Sequence, residues 1–199
     1  AIKETERNQL RAELDGIIAH IYGLTEEEFT YILSTFPIVP QPQKQAALEC
    51  YKSLTSQFVE EDEKVKAVVQ LIEKGECTTI EFKSTLRVDL KTGKPEKFIE
   101  HSVIKTLAAF LNSTGGTLLI GVEDNKNILG LEPDFNSFSK SDKLDEFQKH
   151  FDNLISKSLG NRFHHYLQVD FIELNSKTIC SIAIKEKSQE PVYVTDDAG

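Results

Sequence analysis

Residues 107–124 read LAAFLNSTGGTLLIGVED, a stretch in which the hydrophobic pattern changes from helical to extended. Apolar residues at helical spacing predict an amphipathic helix over residues 96–111. The run that follows, from Gly116 to Val122, is almost wholly apolar and predicts a buried strand. A helix that leads into a buried strand is typical of a domain in which helices pack on a β-sheet.

Strand and helix signals continue on both sides of this stretch. The other predicted elements are a strand at 78–88, a turn at 91–95, a short strand near Ile128, a helix at 142–159, strands at 168–174 and 178–184, and an edge strand at 191–194. The dipeptide Asn175-Ser176 between two of these strands predicts a hairpin turn. The sequence after residue 75 is therefore expected to form a mixed α/β domain, with a sheet flanked by helices.

The first 75 residues show helical spacing and no strand signal. Thr25 and Glu28 have the spacing of a capping box, which starts a helix. After a loop with three prolines, we predict two further helices, at 43–58 and 61–74. The expected fold class is α+β, with a helical segment at 1–75 and the sheet domain at 76–199.

The composition excludes several classes of protein. The formal charge of −9 at pH 7 argues against a protein that coats nucleic acid, because Lys and Arg supply most of such affinity. Any contact with nucleic acid must be local or assisted by a metal. The three cysteines form no Cys-x-x-Cys pair, so neither a disulfide framework nor a thiolate zinc site is expected.

The chain has no apolar run of membrane-spanning length and no signal peptide. We therefore expect a soluble, cytoplasmic protein without a membrane partner. The chain begins without Met and ends just after the predicted edge strand. It is expected to be a piece of a longer protein whose remaining parts are its partners, and a homodimer is left open.

A group of charged residues surrounds the first predicted strand of the sheet domain. Alternation along the strand places Glu81 and Lys83 on one face, close in sequence to Glu76. Glu123 or Asp124, after the next predicted strand, would complete a carboxylate site for Mg²⁺ or Mn²⁺. Such a metal activates water at a phosphate, and Lys83 would stabilise the negative charge that develops. The alternative is a solvated, charged strand edge.

Two further features suggest contacts with phosphate groups. Free N–H groups near Asn112, Gly115 and Gly116 could hold a phosphate, and the alternative is a helix C-cap with a tight turn. Basic residues around the predicted turn could follow a phosphate backbone, whereas Asp89 and Glu96 favour a merely soluble turn. These basic residues are Lys83, Arg87, Lys91, Lys94 and Lys97.

The histidines are left out of the predicted site. His164 and His165 are adjacent on what is predicted to be a strand, so they point to opposite faces and cannot simply bind one metal together. His101 lies on the predicted helix before the Gly-Gly turn, where a lone histidine is usually structural.

Four segments of the second domain resemble one known family. They are ECTTIEFK at 76–83, the stretch at 107–124, ILGL at 128–131 and EPVYV at 190–194. Together they resemble the Alba-type DNA-binding domain of the Schlafen family, over roughly residues 76–199. Members usually continue into a strand with an aromatic residue and an Arg, so the resemblance implies a domain truncated at its C-terminus.

The resemblance also implies roles for particular residues. In Schlafen proteins that cleave tRNA and rRNA, a Glu-x4-Glu pair and an Asp after the Gly-Gly strand bind the catalytic metal. The matching positions here are Glu76, Glu81 and Asp124, with Glu123 as the adjacent alternative. Those nucleases often use a second lobe that this chain does not contain, and many bacterial members are described as DNA-binding modules or regulators.

The first domain resembles a different group of proteins. Residues 11–37 read RAELDGIIAHIYGLTEEEFTYILSTFP. This run is similar to the helical segment near the end of large restriction-modification enzymes that join an adenine-N6 DNA methylase to a nuclease or helicase. The resemblance implies a non-catalytic segment that packs on neighbouring parts of the enzyme.

Three functions follow from these patterns. The first is a DNA- or RNA-binding accessory domain of a restriction-modification or related defence or regulatory protein, which needs no cofactor for binding. The second is a Mg²⁺- or Mn²⁺-dependent endonuclease with Glu76, Glu81 and Asp124 as metal ligands and Lys83 as electrostatic helper. The third is a protein-interaction module whose acidic helices dock on the parent protein and which binds no nucleic acid.

Overall fold

A computed structural model describes residues 3–195 of the chain. The fold class is α+β, with helices first and a mixed sheet afterwards. The chain divides into two compact units, Ala1–Lys64 and Val65–Gly199. This division falls inside a helix, whereas the sequence patterns change after residue 75.

The first unit consists of helices. Helix α1 spans Glu4–Ile21, helix α2 spans Glu26–Ser34 and helix α3 begins at Gln41. The predicted capping box is confirmed, because the Thr25 hydroxyl accepts from the Glu28 amide and the Glu28 carboxylate accepts from the Thr25 amide. The core of this unit consists of Ala12, Ala19, Phe29, Ala47 and Tyr51.

Helix α3 runs without interruption over Gln41–Lys74. The prediction of two helices, at 43–58 and 61–74, was therefore wrong. Between Gln43 and Lys74 the sequence contains neither proline nor glycine, so nothing in the chain breaks the hydrogen-bonded helix. The helix ends at Gly75, whose φ of 81° is the left-handed conformation usual after a helix.

A four-stranded sheet forms the centre of the second unit. Its strands are β1 (Ile80–Lys83), β4 (Gly116–Ile120), β5 (Leu167–Leu174) and β6 (Lys177–Ile184). In space their order is β1-β4-β6-β5. Strands β1 and β4 are parallel and joined through helix α4 (Lys97–Leu111), whereas the other pairs are antiparallel.

The second unit contains two hydrophobic clusters. Leu119 packs in the cluster of Val68 and Ile72 from the end of α3. Its neighbours Leu118 and Ile120 pack in the other cluster, with residues of α4 and of helix α6 (Lys143–Ser158). The alternation along β4 therefore places helices on both faces of the sheet.

Short elements complete the second unit. They are β2 (Val88–Asp89) and β3 (Lys94–Pro95), which form an antiparallel hairpin, helix α5 (Glu132–Asn136), and a 3-10 helix over Asn161–Tyr166. The predicted hairpin turn at Asn175-Ser176 is confirmed, since both residues have positive φ, as the tight turn between β5 and β6 requires. No helix among residues 3–195 is both long and apolar enough to cross a membrane.

Three local predictions were wrong. Residues 191–194 form no strand, because the backbone of Val192 pairs with a side chain rather than with another strand. His164 and His165 lie in the 3-10 helix and not in a strand. The short strand near Ile128 is reduced to an isolated bridge with Val122.

Candidate nucleic-acid interface

The loop after β1 is held by a buried carboxylate. Asp134, on α5, is fully buried. Its oxygens accept hydrogen bonds from the amides of Leu86 (2.7 Å), Arg87 (3.0 Å) and Val88 (3.3 Å). Burial raises the pKa of Asp134, although the three amide hydrogen bonds act in the opposite direction. These bonds end β1 at Lys83, which explains why the predicted strand at 78–88 is divided.

The hairpin β2–β3 follows this loop and carries exposed lysines. Lys91 and Lys94 are exposed, and within residues 3–195 neither ammonium group has an ion-pair partner. The Asp89 carboxylate accepts a hydrogen bond from the backbone amide of Lys91 at 2.9 Å. Lys97, also exposed, begins α4 directly after the hairpin. Three of the predicted basic residues are therefore near one another in the chain and accessible to solvent.

A shallow depression of about 490 Å³ lies beside the hairpin. Lys83 and Lys91 contribute to its lining, together with Leu90 and Phe98. Phe98 is 65% exposed and Leu90 is 47% exposed. An exposed aromatic ring among lysines is an arrangement that can stack on a base while the cations contact phosphates.

Arg87 has a different role from the lysines. Its guanidinium lies over the ring of Phe138, 5.2 Å from the centroid, and its Nε is 3.7 Å from Glu100 Oε1. The same carboxylate oxygen is 2.7 Å from His150 Nε2. Arg87 Nε is buried and has no hydrogen-bond partner within the described part of the chain. Arg87 therefore packs between Glu100 of α4 and the Phe138 ring and is not a free phosphate ligand.

The pKa of Glu100 reflects these neighbours. Burial by itself raises the pKa of this carboxyl, but the hydrogen bond and charge of His150 and the charges of Arg87 and Lys97 lower it. The result is a pKa below the ordinary value. Glu100 is thus ionised and balanced by the cations around it.

The predicted partners Glu81 and Lys83 do lie together. Lys83 Nζ is 2.5 Å from Glu81 Oε1, and their side chains are partly exposed at the edge of the sheet. Both face the same side of β1, as the alternation predicted, because Ile80 and Phe82 are buried on the other side. The ion pair leaves Lys83 less available for phosphate than the lysines of the hairpin.

Glu76 closes the outer edge of β1. Its Oε1 accepts a hydrogen bond from the Phe82 amide at 2.9 Å. Where β1 begins, the backbones of Cys77 and Ile80 exchange two hydrogen bonds. The outward-facing amides of this edge strand are thereby satisfied by the segment that precedes the strand.

The third predicted carboxylate lies in a separate turn. Glu123 accepts from the Asn127 side chain at 2.6 Å, and the turn is closed by bonds between the backbones of Glu123, Lys126 and Asn127. Asp124 is exposed in this turn. Among residues 3–195, no group of three or more His, Cys, Asp or Glu side chains could hold a metal ion. Glu76, Glu81 and Asp124 are therefore not grouped in this way, and their binding of a metal stays a prediction.

The Gly-Gly turn has a packing role. Gly115 has a φ of 88°, and a Cβ there would collide with the carbonyl oxygen of Ile184. A Cβ on Gly116 would come within 2.6 Å of the Phe110 ring. The Asn112 side chain donates to the carbonyl of Val192 and accepts from its amide, each at 2.9 Å. These contacts match the alternative of a helix C-cap with a tight turn, which packs against β6 and Val192. A contact of these residues with phosphate stays a prediction.

Sequence reasoning missed two parts of this region. Asp134 gave no signal, because an acidic residue after Glu132-Pro133 is expected in an exposed first helical turn. Phe98 could have been found, since helical spacing from Ile104 and Leu107 places it away from the apolar face. An aromatic residue on the polar face of a helix indicates an interaction surface.

The chain belongs to the Schlafen, AlbA_2 family, whose model matches residues 76–199. The match covers the sheet, the hairpin, the Gly-Gly turn and the carboxylates described above. No curated protein is similar enough to this chain to count as a relative.

Two solved structures show a distant likeness. One is the solution structure of the N-terminal domain of a protein from Nitrosomonas europaea, named as related to the ATP-dependent DNA helicase RecG, with 20% identity and a TM-score of 0.43. The matched region covers 65% of this chain and 81% of the Nitrosomonas europaea domain. The other is the DIP2311 protein from Corynebacterium diphtheriae, with 15% identity, a TM-score of 0.44, and coverage of 67% of this chain and 27% of that one. At this level of similarity, neither protein's activity transfers to the chain.

Proposed function

We propose that residues 76–199 form a nucleic-acid-binding domain whose contact surface is the hairpin β2–β3 and the start of α4. The observation that carries the proposal is the set of exposed lysines, Lys91, Lys94 and Lys97, beside the exposed ring of Phe98. Membership of the Schlafen, AlbA_2 family supports the same class of ligand.

The exposed lysines can bind nucleic acid although the chain as a whole is acidic. The chain has a net charge of −9, so its overall field repels a polyanion. Over distances beyond about 8 Å, physiological salt largely screens that repulsion. Exposed lysines can then contact phosphates directly, and each contact releases counterions. Binding should therefore be local, modest in affinity and sensitive to salt.

The ring of Phe98 favours a strand with accessible bases. Stacking of a base on an aromatic side chain contributes about 1–3 kcal/mol per base, without regard to sequence. Duplex bases are already stacked on one another and are not available for this contact. We expect single-stranded DNA or RNA to bind more tightly than duplex.

The test compares two triple variants of equal charge. Lys91→Ala/Lys94→Ala/Lys97→Ala removes the proposed contacts, and Lys149→Ala/Lys185→Ala/Lys187→Ala removes three other exposed lysines. Fluorescence anisotropy with a labelled oligonucleotide measures affinity at several salt concentrations. The first variant should lower the slope of log affinity against log salt by about 2, since each lost contact contributes about 0.7 for single strands. Equal losses in both variants would refute the proposed surface.

The same samples test the metal-dependent endonuclease. Incubating labelled tRNA and duplex DNA with the protein and Mn²⁺, or with EDTA, shows whether cleavage occurs. Cleavage that requires Mn²⁺ and is lost in Glu81→Ala would mean that ion binding rearranges Glu76, Glu81 and Asp124 into a common site. Without such cleavage, the domain acts by binding alone.

A second candidate function concerns the first unit, and a specific observation favours it. Helix α1 turns small residues, Ala12, Gly16 and Ala19, inward. Its large apolar residues face solvent at alternating spacings of four and three, the pattern of a coiled-coil seam. They are Leu10, Leu14, Ile17 and Ile21, with exposures of 52%, 55%, 44% and 76%. We infer that this seam binds an amphipathic helix from another part of a larger cytoplasmic protein of the restriction-modification or related defence type.

Co-purification tests this second candidate. The chain is expected to retain a co-expressed neighbouring segment of the larger protein, and Leu14→Glu/Ile17→Glu should abolish that retention without changing the circular dichroism spectrum. A concentration-dependent dimer of the chain alone, dissociated by the same substitutions, would assign the seam to a second copy and overturn the inference.

A further inference from the structure

The depression beside the hairpin contains one acidic side chain. Asp89, the last residue of β2, lines it together with Lys91 and the exposed ring of Phe98. Among the described residues that line the depression, Asp89 has the only carboxylate. A carboxylate and a phosphate repel each other because both are negative. Asp89 therefore favours binding of a strand only if it contacts a part of the nucleotide other than the phosphate.

The Asp89 carboxylate can accept further hydrogen bonds. Its Oδ1 accepts from the backbone amide of Lys91 at 2.9 Å. Within residues 3–195 this carboxylate has no other hydrogen-bond partner and no ion-pair partner. The two oxygens of a carboxylate together have about four lone-pair sites. Both oxygens of Asp89 are therefore able to accept from a ligand in the depression.

Two hydroxyl groups add hydrogen-bond donors to the lining. Ser84 follows β1, and Ser102 lies on α4. In the part of the chain that the structure describes, neither hydroxyl makes a hydrogen bond. Each can donate or accept. The depression thus presents an acceptor pair and two hydroxyl donors beside an aromatic ring.

The Watson–Crick edge of guanine matches this set of groups. Guanine has two adjacent donors, N1–H and the N2 amino group, followed by the O6 acceptor. A carboxylate can accept from two adjacent donors at once, as it does from the fork of an arginine. Adenine, cytosine and uracil each place an acceptor beside their donor, and a carboxylate oxygen repels that acceptor. The hydroxyls provide donors for O6.

We propose that the depression binds a guanine base of a single strand, with the base stacked on Phe98 and with Asp89 as the acceptor of its N1 and N2 protons. The inference rests on the proposed function, because the hairpin lysines would hold the strand by its phosphates. Contacts with phosphates and stacking on a ring do not depend on sequence. Asp89 would add a preference for one base. A free guanine nucleotide has the same chemistry and is the other source of such a ligand.

The experiment replaces one base in otherwise identical strands. Fluorescence anisotropy is measured for a labelled oligothymidine with a single central guanine, hypoxanthine or adenine, and guanosine monophosphate is titrated as competitor. Hypoxanthine keeps the N1–H and O6 of guanine and lacks its N2 amino group, so it isolates the second donor. The guanine strand should bind about tenfold more tightly than the other two, as a bidentate contact with a base provides.

Two variants of equal charge test the role of Asp89. Asp89→Asn removes the acceptor pair and should abolish the preference for guanine over hypoxanthine. Glu96→Gln removes a carboxylate next to the same hairpin but outside the lining of the depression, and it should keep the preference. The ratio of the two affinities is the readout, because the loss of a negative charge changes the affinity for every strand in the same direction.

The outcomes separate this inference from the proposed function. Salt-dependent binding that is equal for all three strands overturns the guanine site and leaves the hairpin surface standing. A preference for guanine that persists in Asp89→Asn also overturns the guanine site. Displacement of the strand by an equal concentration of guanosine monophosphate would assign the depression to a free nucleotide and overturn the inference. Absence of binding to every strand would overturn the proposed function itself.

Discussion

Single side chains fix the position of the candidate interface. Asp134 is the clearest case, because one buried carboxylate accepts three amide hydrogen bonds from the loop that joins β1 to the hairpin. Amides of buried residues that lose their acceptor cannot turn to water, so they keep their desolvation penalty. The lysines of the hairpin thus depend for their placement on a residue that makes no contact with solvent.

Replacing Asp134 by alanine should destabilise the protein by about 2–4 kcal/mol, since three amides lose their acceptor. Urea unfolding followed by circular dichroism measures this change. Asp124→Ala, in an exposed turn, is the control and should change the unfolding free energy by less than about 0.5 kcal/mol. Similar effects of the two substitutions would show that the three amides are solvated without Asp134.

Glu100 gives a pH-dependent contribution to stability. Its pKa in the folded protein lies below the ordinary 4.5, so the folded state binds the proton more weakly than the unfolded state. The contribution is complete above pH 4.5 and is lost as the pH falls through the lower folded-state value. The difference in unfolding free energy between wild type and Glu100→Gln should therefore shrink from pH 6 toward pH 3. If the difference in unfolding free energy stays constant from pH 6 to pH 3, the contacts of Glu100 with His150 and Arg87 are contradicted.

At the scale of elements, the Gly-Gly turn shows that a local pattern can predict a helix and a strand without deciding between a packing contact and a ligand site. The sequence predicted a helix, a turn and a buried strand at 107–124, and the structure has all three. Whether the glycines contact a ligand or another part of the protein depends on which residue lies opposite them in space. For Gly115 that residue is Ile184, which is 69 positions further along the chain. Local sequence carries no information about such a contact.

Two glycines with positive φ allow a matched test of this packing. A Cβ on Gly115 would meet the backbone carbonyl of Ile184, whereas one on Gly93, in the hairpin turn, would have nothing within 4 Å. Gly93→Ala should cost about 1–2 kcal/mol, the strain of the left-handed conformation alone. Gly115→Ala should cost about 3–5 kcal/mol, because the steric conflict is added. Thermal unfolding of both variants measures the difference, and equal costs would mean that β6 can move away without penalty.

Contacts that local sequence cannot reveal also explain the predictions that were wrong elsewhere in the chain. Strands β5 and β6 were predictable because their alternation and their turn are local, and the register confirms both. Helix α3 was predicted as two helices divided at residues 59–60, although the sequence there contains neither proline nor glycine. The carboxylates were grouped from their spacing, but Glu76 turned to the Phe82 amide and Glu81 to Lys83. Hydrogen-bonding partners decide the direction of a side chain, and these partners come from the three-dimensional structure.

On the scale of the whole molecule, the two units differ in which apolar side chains they bury. The sheet unit buries large residues such as Phe82, Phe147 and Phe151 almost completely. In the helical unit, helix α1 buries the small residues Ala12, Gly16 and Ala19 and leaves Leu14 and Ile17 about half exposed. The packing of α1 therefore depends on close backbone approach more than on the burial of its own large side chains.

Two substitutions on α1 separate these contributions. Leu14→Gln should cost less than about 1 kcal/mol, because much of that side chain is already in water. Gly16→Ala should cost about 1–3 kcal/mol, since its Cβ would lie 3.0 Å from the Tyr51 amide nitrogen and 3.3 Å from Cys50. Chemical unfolding of the two variants compares them, and a larger cost for Leu14→Gln would show that the seam is covered in solution.

The closed edge of β1 has a consequence for how the sheet meets other chains. Ile80 and Phe82 direct their amides away from β4, and Cys77 and Glu76 already occupy them. A foreign peptide cannot extend the sheet on this side by adding a strand, since no donor is vacant at these positions. The segment before β1 thus covers this edge, which hinders edge-to-edge association of sheets and restricts recognition there to side-chain chemistry.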